Sequence, residues 1–183
     1  FDILRNADVQ QVFANTHHLA DRIEPHLESL GIQFRREMPE ILDTGGGMKA
    51  MSDLFAPGPI VTINPDAAWQ GPNPVRVLLD HWRADMKCLL LVTPIAKTDR
   101  QMPGDFALID GRISRQGPFI YTGVQIINPD ILEEIDGTAF SLNVIWNLLI
   151  ARSGVHAVVY DGTWMDIGTP EGLSRAEKLL SDA

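Results

Sequence analysis

Two aspartates, Asp66 and Asp166, carry the strongest chemical signal in the chain. Asp66 closes Asn64-Pro65-Asp66 behind the apolar run Pro59 to Ile63. Asp166 closes a short strand that follows Val155 to Tyr160 and a turn at Asp161-Gly162. Both terminate strands, so although they stand 100 positions apart in sequence they can meet at one sheet edge. Paired carboxylates with no basic neighbour repel each other, and a shared divalent cation removes the repulsion. Mg²⁺ is usually held by one or two carboxylates together with substrate phosphates and water, which points to chemistry on a phosphorylated substrate. Asp166 also lies beside a predicted helix start, with Thr169 as N-cap and Pro170 at the first helical position. Capping that helix is the other reading of its carboxylate.

A second candidate is Thr44-Gly45-Gly46-Gly47, expected to break the chain ahead of a short helix over Met48 to Leu54. Glycines there would let a ligand approach the backbone, with N–H groups facing an anion; a plain flexible loop is the alternative. His17 and His18 read as a helix-entry contact. Trp69, placed in a loop just after Asp66, could line a pocket. The single cysteine, Cys88, sits in Cys88-Leu89-Leu90-Leu91-Val92 and reads as a buried, reduced core residue.

The elements that must position these residues alternate between strand and helix. Strands are predicted at Gln11 to Asn15, Ile32 to Arg36, Pro59 to Ile63, Lys87 to Thr93 and Phe119 to Ile127, with a hairpin across Asp110-Gly111. An initial helix is predicted over Phe1 to Ala7. Asp21 to Glu24 fits a capping box for the next, and Val75, Leu78, Leu79 and Trp82 form the stripe of another. Ser141 caps a helix striped by Leu142, Ile145, Trp146, Leu149 and Ile150, and Leu173, Ala176 and Leu180 line the last. Pro94 to Gly104 reads as a loop. The pattern is that of an α/β protein with a wound sheet, helices on both faces and one hairpin insertion. With 183 residues the chain suits a single domain, 1–183.

A formal charge of -9 argues against a nucleic-acid partner, whose affinity rests on Lys and Arg. It leaves room for a small phosphorylated substrate, because a bound cation reverses the local sign. No apolar run reaches the length of a membrane helix and no signal peptide opens the chain, so a cytoplasmic location without membrane association is expected.

Six blocks then occur in a telling order: Leu42-Asp43-Thr44-Gly45-Gly46-Gly47, Asn64-x-Asp66-x-x-Trp69, Gly104-Asp105-Phe106, Tyr121-Thr122-Gly123-Val124, Phe140-Ser141-Leu142-Asn143 and Trp164-Met165-Asp166-Ile167-Gly168-Thr169-Pro170. In these the chain resembles the sugar-1-phosphate nucleotidyltransferases, over essentially its whole length. The resemblance is to the bacterial branch of N-acetylmuramate-1-phosphate uridylyltransferases and mannose-1-phosphate guanylyltransferase-like proteins. It implies a Rossmann-like mixed sheet, the nucleotide-diphospho-sugar transferase fold. It also implies attack of a sugar-1-phosphate oxygen on the α-phosphorus of a nucleoside triphosphate, UTP or GTP, giving a nucleotide sugar for the cell wall and pyrophosphate. Asp66 and Asp166 would hold a catalytic Mg²⁺. Thr44, Gly45, Gly46, Gly47 and Asn64 would contact the nucleotide, and Gly104, Asp105, Tyr121, Thr122 and Gly123 would wall the sugar pocket.

Two departures from the family pattern stand out. Pro65 occupies the middle of the N-x-D motif. The opening strand with its G-x-G-T-R-x-R-P loop, and the later K-P lysine, are absent, so the chain reads as an N-terminally truncated domain lacking its first strand. Little turnover by the chain alone and association between copies, a homo-oligomer covering the bared edge, are expected. A non-catalytic relative that binds a nucleotide sugar or a partner subunit is the alternative function, and a metal-dependent glycosyltransferase fits less well because no D-x-D occurs.

Overall fold

The computed structural model describes residues 1–98 and 103–181. The first half runs α1 (Asp2–Arg5), β1 (Phe13–Thr16), α2 (Ala20–Ser29), β2 (Gln33–Arg36), α3 (Asp43–Ala50), β3 (Ile60–Ile63), β4 (Ala67–Gln70) and α4 (Pro74–His81). The second half runs β5 (Cys88–Pro94), β6 (Gly104–Ile109), β7 (Arg112–Gly117), β8 (Phe119–Ile127), α5 (Leu142–Ala151), β9 (Val155–Val159), β10 (Thr163–Asp166) and α6 (Pro170–Ser181). Short 3₁₀ turns occupy Ser52–Leu54, Ile95–Lys97 and Pro129–Glu134. The expected loop from Pro94 to Gly104 is thus partly a 3₁₀ turn, and its residues 99–102 lie outside the described residues.

The chain divides into two compact units. One comprises Phe1–Ala7, Pro59–Asn128 and Leu149–Ala183, the other Asp8–Gly58 and Pro129–Leu148. The first is built on a six-stranded mixed sheet in the order β3-β8-β5-β9-β7-β6. Only β5 and β9 pair in parallel within it; β8 runs antiparallel to both β3 and β5. The apolar runs explain the placement, since Cys88 to Thr93 is buried throughout and takes the centre between β8 and β9. Pro59 to Ile63, expected to be buried on both faces, is instead a half-buried edge strand. Helix α4 is capped by Asn73, whose Oδ1 accepts from Val75 N at 2.9 Å and Arg76 N at 3.2 Å. It buries Val75 and Leu78 completely, while Leu79 is exposed.

One irregularity in this sheet bears on function. Leu90 faces Gln125, yet Val92 faces Tyr121, so β8 uses four residues where β5 uses two. The surplus is a bulge around Thr122-Gly123-Val124, and Gly123 has φ +86°. Bulges bend a strand and re-aim its groups, often beside active sites.

The second unit holds a two-stranded parallel sheet, β1 with β2, flanked by α2 and α3. The expected capping box does not form. Helix α2 starts at Ala20 after Leu19 at φ 53°, because Glu24 is taken by Thr16 Oγ1 at 2.6 Å and by the Arg36 guanidinium. Pro25 lies inside that helix. In the first unit, Leu173 on α6 is exposed, contrary to its expected place in the core, whereas Ala176 is buried.

Candidate functional site

Residues Ala67–Gln70 form a strand, which the sequence reading placed in a loop, and β4 pairs antiparallel with β10. Trp164 faces Trp69 and Asp166 faces Ala67. The ladder continues one step further, with Ile167 N donating to Asp66 O at 2.8 Å. The two acids are thereby brought to the same end of one ribbon. An ideal Cβ built on Gly168 would sit 3.2 Å from Asp166 Oδ1 and 3.4 Å from Asp66 Oδ2. The two carboxylates therefore lie on the same side of the exposed Gly168, each with an oxygen no more than 3.4 Å from that one point. Two carboxylates converging in this way could supply the protein's oxygen ligands to an Mg²⁺ ion, with substrate phosphates and water as the remaining ligands. Among the described residues no group of three or more His, Cys, Asp or Glu could hold a metal alone.

The N-cap of α6 is Thr169, whose Oγ1 accepts from Gly172 N at 3.1 Å. Asp166 Oδ1 accepts from Gly168 N at 3.0 Å, which holds the carboxylate over the turn ahead of that helix. Asp166 is half-buried and Asp66 exposed.

The β8 bulge lies beside this ribbon. Gly123 O accepts from Asn64 N at 2.8 Å, and a Cβ on Gly123 would lie 2.9 Å from Asn64 Cβ. The missing side chain at Gly123 therefore makes room for Asn64, where the sequence reading had a sugar ring approaching. The preceding carbonyl, Thr122 O, accepts from Trp164 Nε1 at 3.0 Å, and Thr122 Oγ1 donates to Leu91 O at 2.7 Å. Asp105 is exposed, yet its Oδ2 is tied to Tyr121 N at 3.0 Å. Burial raises the Tyr121 phenol, so it stays protonated. Gly104 pairs with Gly117 in the β6–β7 hairpin, and a Cβ there would collide with Gly117 O and the Phe119 backbone.

In the second unit the glycine run is helical. Gly45, Gly46 and Gly47 lie within α3 and are buried, correcting the expected loop and the helix start at Met48. A Cβ on Gly46 would be 2.2 Å from Thr138 O, and one on Gly45 2.6 Å from the Phe140 ring. Gly46 N donates to Phe140 O at 2.9 Å, so this N–H serves the segment 138–140 and faces no anion. Thr44 is exposed at the helix start, and its N–H donates to Asp43 Oδ1 at 2.6 Å.

Sequence reading missed Glu37, which organises this region. It is buried, its Oε1 accepts from Asn15 Nδ2 at 2.7 Å and its Oε2 from Leu42 N at 2.8 Å. Gly47 packs on the same pair, with a Cβ there 2.6 Å from Glu37 Oε1. His17 Nδ1 donates to Glu37 O at 3.0 Å and is a structural contact. A glutamate between a strand and a glycine-rich helix was the available signal, but its polar partners lie on other elements. Cys88 is buried, and burial pushes its thiol up, consistent with an inert core residue.

No family model matches the chain. An N-acetylmuramate alpha-1-phosphate uridylyltransferase from Caulobacter vibrioides is 32% identical over 200 aligned positions, covering all of this chain and 82% of the relative. The catalytic subunit beta of a mannose-1-phosphate guanylyltransferase from Dictyostelium discoideum is 25% identical over 84% of this chain, which spans only 45% of that relative. Among solved structures, HddC from Yersinia pseudotuberculosis, complexed with GMP-PN, superposes with a TM-score of 0.76 at 19% identity, over 97% of this chain and 82% of that one. That last likeness bears on the fold, and it agrees with the mixed α/β architecture.

Proposed function

We propose, since this chain belongs to the sugar-1-phosphate nucleotidyltransferases, that Asp66 and Asp166 are its catalytic pair and hold an Mg²⁺ ion during transfer. The observation that carries this reading is the convergence of the two carboxylates beside Gly168. Bound there, the cation would supply charge neutralisation for phosphate oxygens and a fixed geometry for their approach.

In the reaction, an oxygen of the sugar-1-phosphate bonds to the α-phosphorus of the nucleoside triphosphate. The bond from that phosphorus to the bridging oxygen of the β-phosphate breaks, and pyrophosphate leaves. A phosphate monoester has a second pKa of about 6, so the nucleophile is already ionised at neutral pH and requires no side-chain base. What the protein contributes is position. Asn64, fixed by its backbone to Gly123 O, is suited to hold a phosphate near the two acids. Of the residues expected to wall the sugar pocket, Asp105 is the exposed one and would stand on the sugar side of the site. Of the residues expected to contact the nucleotide in the glycine run, Thr44, exposed at the start of α3, is the one left to do so. Asp105 would act with one carboxylate oxygen, the other being tied to Tyr121 N.

UTP with N-acetylmuramate-1-phosphate is the first substrate pair to try, because the Caulobacter relative bears that activity in its name; GTP with mannose-1-phosphate is the second. We assign the protein to the cytoplasm, which its free, buried Cys88 fits. Separately, no described helix is long and apolar enough to cross a membrane. The test is pyrophosphate release with UTP, GTP, dTTP or CTP against a panel of sugar-1-phosphates, with and without Mg²⁺, by this chain and by a longer one that carries the family's G-x-G-T-R-x-R-P loop. Little release by this chain, and release by the longer one that needs both substrates and the cation, are expected. Release by the longer chain without added metal after EDTA treatment would refute the cation's role, and silence of both chains with every pair would refute the transferase reading.

A further inference from the structure

We infer that Trp164 is a positioning residue for the Asp66/Asp166 pair, acting through the bulged peptide Thr122-Gly123 of β8. This rests on the reading that the two aspartates hold a divalent cation. The ribbon that carries them consists of two four-residue strands, β4 and β10. A two-stranded ribbon is marginal by itself, so its aim must be set by anchors to the main sheet. Side chains two apart on a strand share a face, and Trp164 stands two residues before Asp166 on that strand. Whatever fixes the Trp164 indole therefore fixes the face that presents the Asp166 carboxylate.

The indole is buried and its Nε1–H donates to Thr122 O at 3.0 Å. That carbonyl cannot easily follow a moving ribbon. Thr122 is 1% exposed and its hydroxyl is bonded to Leu91 O in the central strand β5. The next carbonyl, Gly123 O, receives Asn64 N, at the head of the Asn64-Pro65-Asp66 segment. Two successive carbonyls of one bulge thus receive the two segments that end in the site's acids. Gly123 permits this, through its φ of +86° and the absence of a side chain where Asn64 packs. Trp69, facing Trp164 across the ribbon, makes an edge contact with Tyr160 at 5.1 Å, and Tyr160 donates to Pro72 O at 2.7 Å. Those contacts hold β4, while the Trp164 ring N–H is spent on Thr122 O.

The test compares Mn²⁺ binding, by the EPR signal of free Mn²⁺, in the wild-type protein, Asp166→Asn, Trp164→Phe and Trp164→benzothienylalanine. The last keeps the ring shape and removes only the N–H. Thermal melting without metal is recorded for each. Both Trp164 variants should bind Mn²⁺ about tenfold more weakly, the scale of one buried hydrogen bond, and the isostere should melt within a few degrees of wild type. Asp166→Asn should lose most of the binding. Wild-type affinity in the isostere, beside loss in Asp166→Asn, would overturn the role of Trp164 while leaving the cation reading intact. A weakened isostere whose loss tracks its unfolded fraction would make the bond merely structural and would also overturn it. Equal binding by wild type and Asp166→Asn would refute the cation reading, and this inference with it.

Discussion

Gly168→Ala should leave the protein folded and stop it working. The new methyl would stand 3.2 Å from Asp166 Oδ1, 3.4 Å from Asp66 Oδ2 and 3.7 Å from Asp66 Cβ. These are close contacts, but all three belong to side chains whose ends can give by a few tenths of an ångström. Gly168 is not among the residues at positive φ, so alanine can adopt its backbone. Strain of under about 1 kcal/mol is then set against the 0.4 to 1 kcal/mol or so that Gly→Ala gains by restricting the unfolded chain, and the net change should be near zero. The methyl would, however, stand against both carboxylates and shift them from their positions. Loss of a preorganised electrostatic contact lowers turnover by about 10²-fold or more. The assay is pyrophosphate release titrated with Mg²⁺, beside a melting curve, with Gly154→Ala as control because a Cβ there meets nothing nearer than 3.4 Å. Wild-type turnover at the wild-type Mg²⁺ requirement in Gly168→Ala would show that the cation does not depend on the placing of these two carboxylates.

Gly46→Ala should destabilise despite alanine's better helix propensity. A gain of about 1 kcal/mol meets backbone overlap with Thr138 O, and overpacking against unyielding atoms costs about 1 to 3 kcal/mol or more; urea unfolding should show a clear net loss. Gly123→Val combines about 1 to 2 kcal/mol of left-handed strain with displacement of Asn64, so the folded fraction should fall and the apparent affinities for both substrates should drop together. A selective loss of sugar-phosphate binding would restore an open sugar-facing side at Gly123. Glu37→Gln sets a donor against either Asn15 Nδ2 or Leu42 N and should cost about 1 to 3 kcal/mol, measured by denaturation. His156 is held below its ordinary 6.5 by burial, then by the charges of Arg83 and Arg112, with Asp85 opposing. The unfolded chain then binds that proton more tightly, so the contribution is complete above 6.5 and is lost as pH falls toward the folded value. Melting temperatures should drop more steeply on acidification in wild type than in His156→Asn.

Much of the scaffold was legible locally. The apolar run at Cys88, the long strand from Phe119 to Ile127, the Asp110-Gly111 turn and the caps at Ser141 and Thr169 each depend on neighbours a few residues away, and each formed. So did the strand end at Asp166, because a helix start directly behind it is a local signal. What failed was decided at a distance. By local preference Gly45 to Gly47 should interrupt a helix; they join one because α3 packs against 138–140 and Glu37 too closely for side chains. Leu42 to Glu37, Glu24 to Arg36 and Asn64 to Gly123 are polar pairings between separate elements, invisible to periodicity. Ala67–Gln70 has no alternation and becomes a strand only because β10 pairs with it. The sequence by itself determined which acids were available and that each would follow a strand. Only the tertiary structure decided that they converge beside Gly168, because that depends on an antiparallel register and a β8 bulge whose partners lie far apart in the chain.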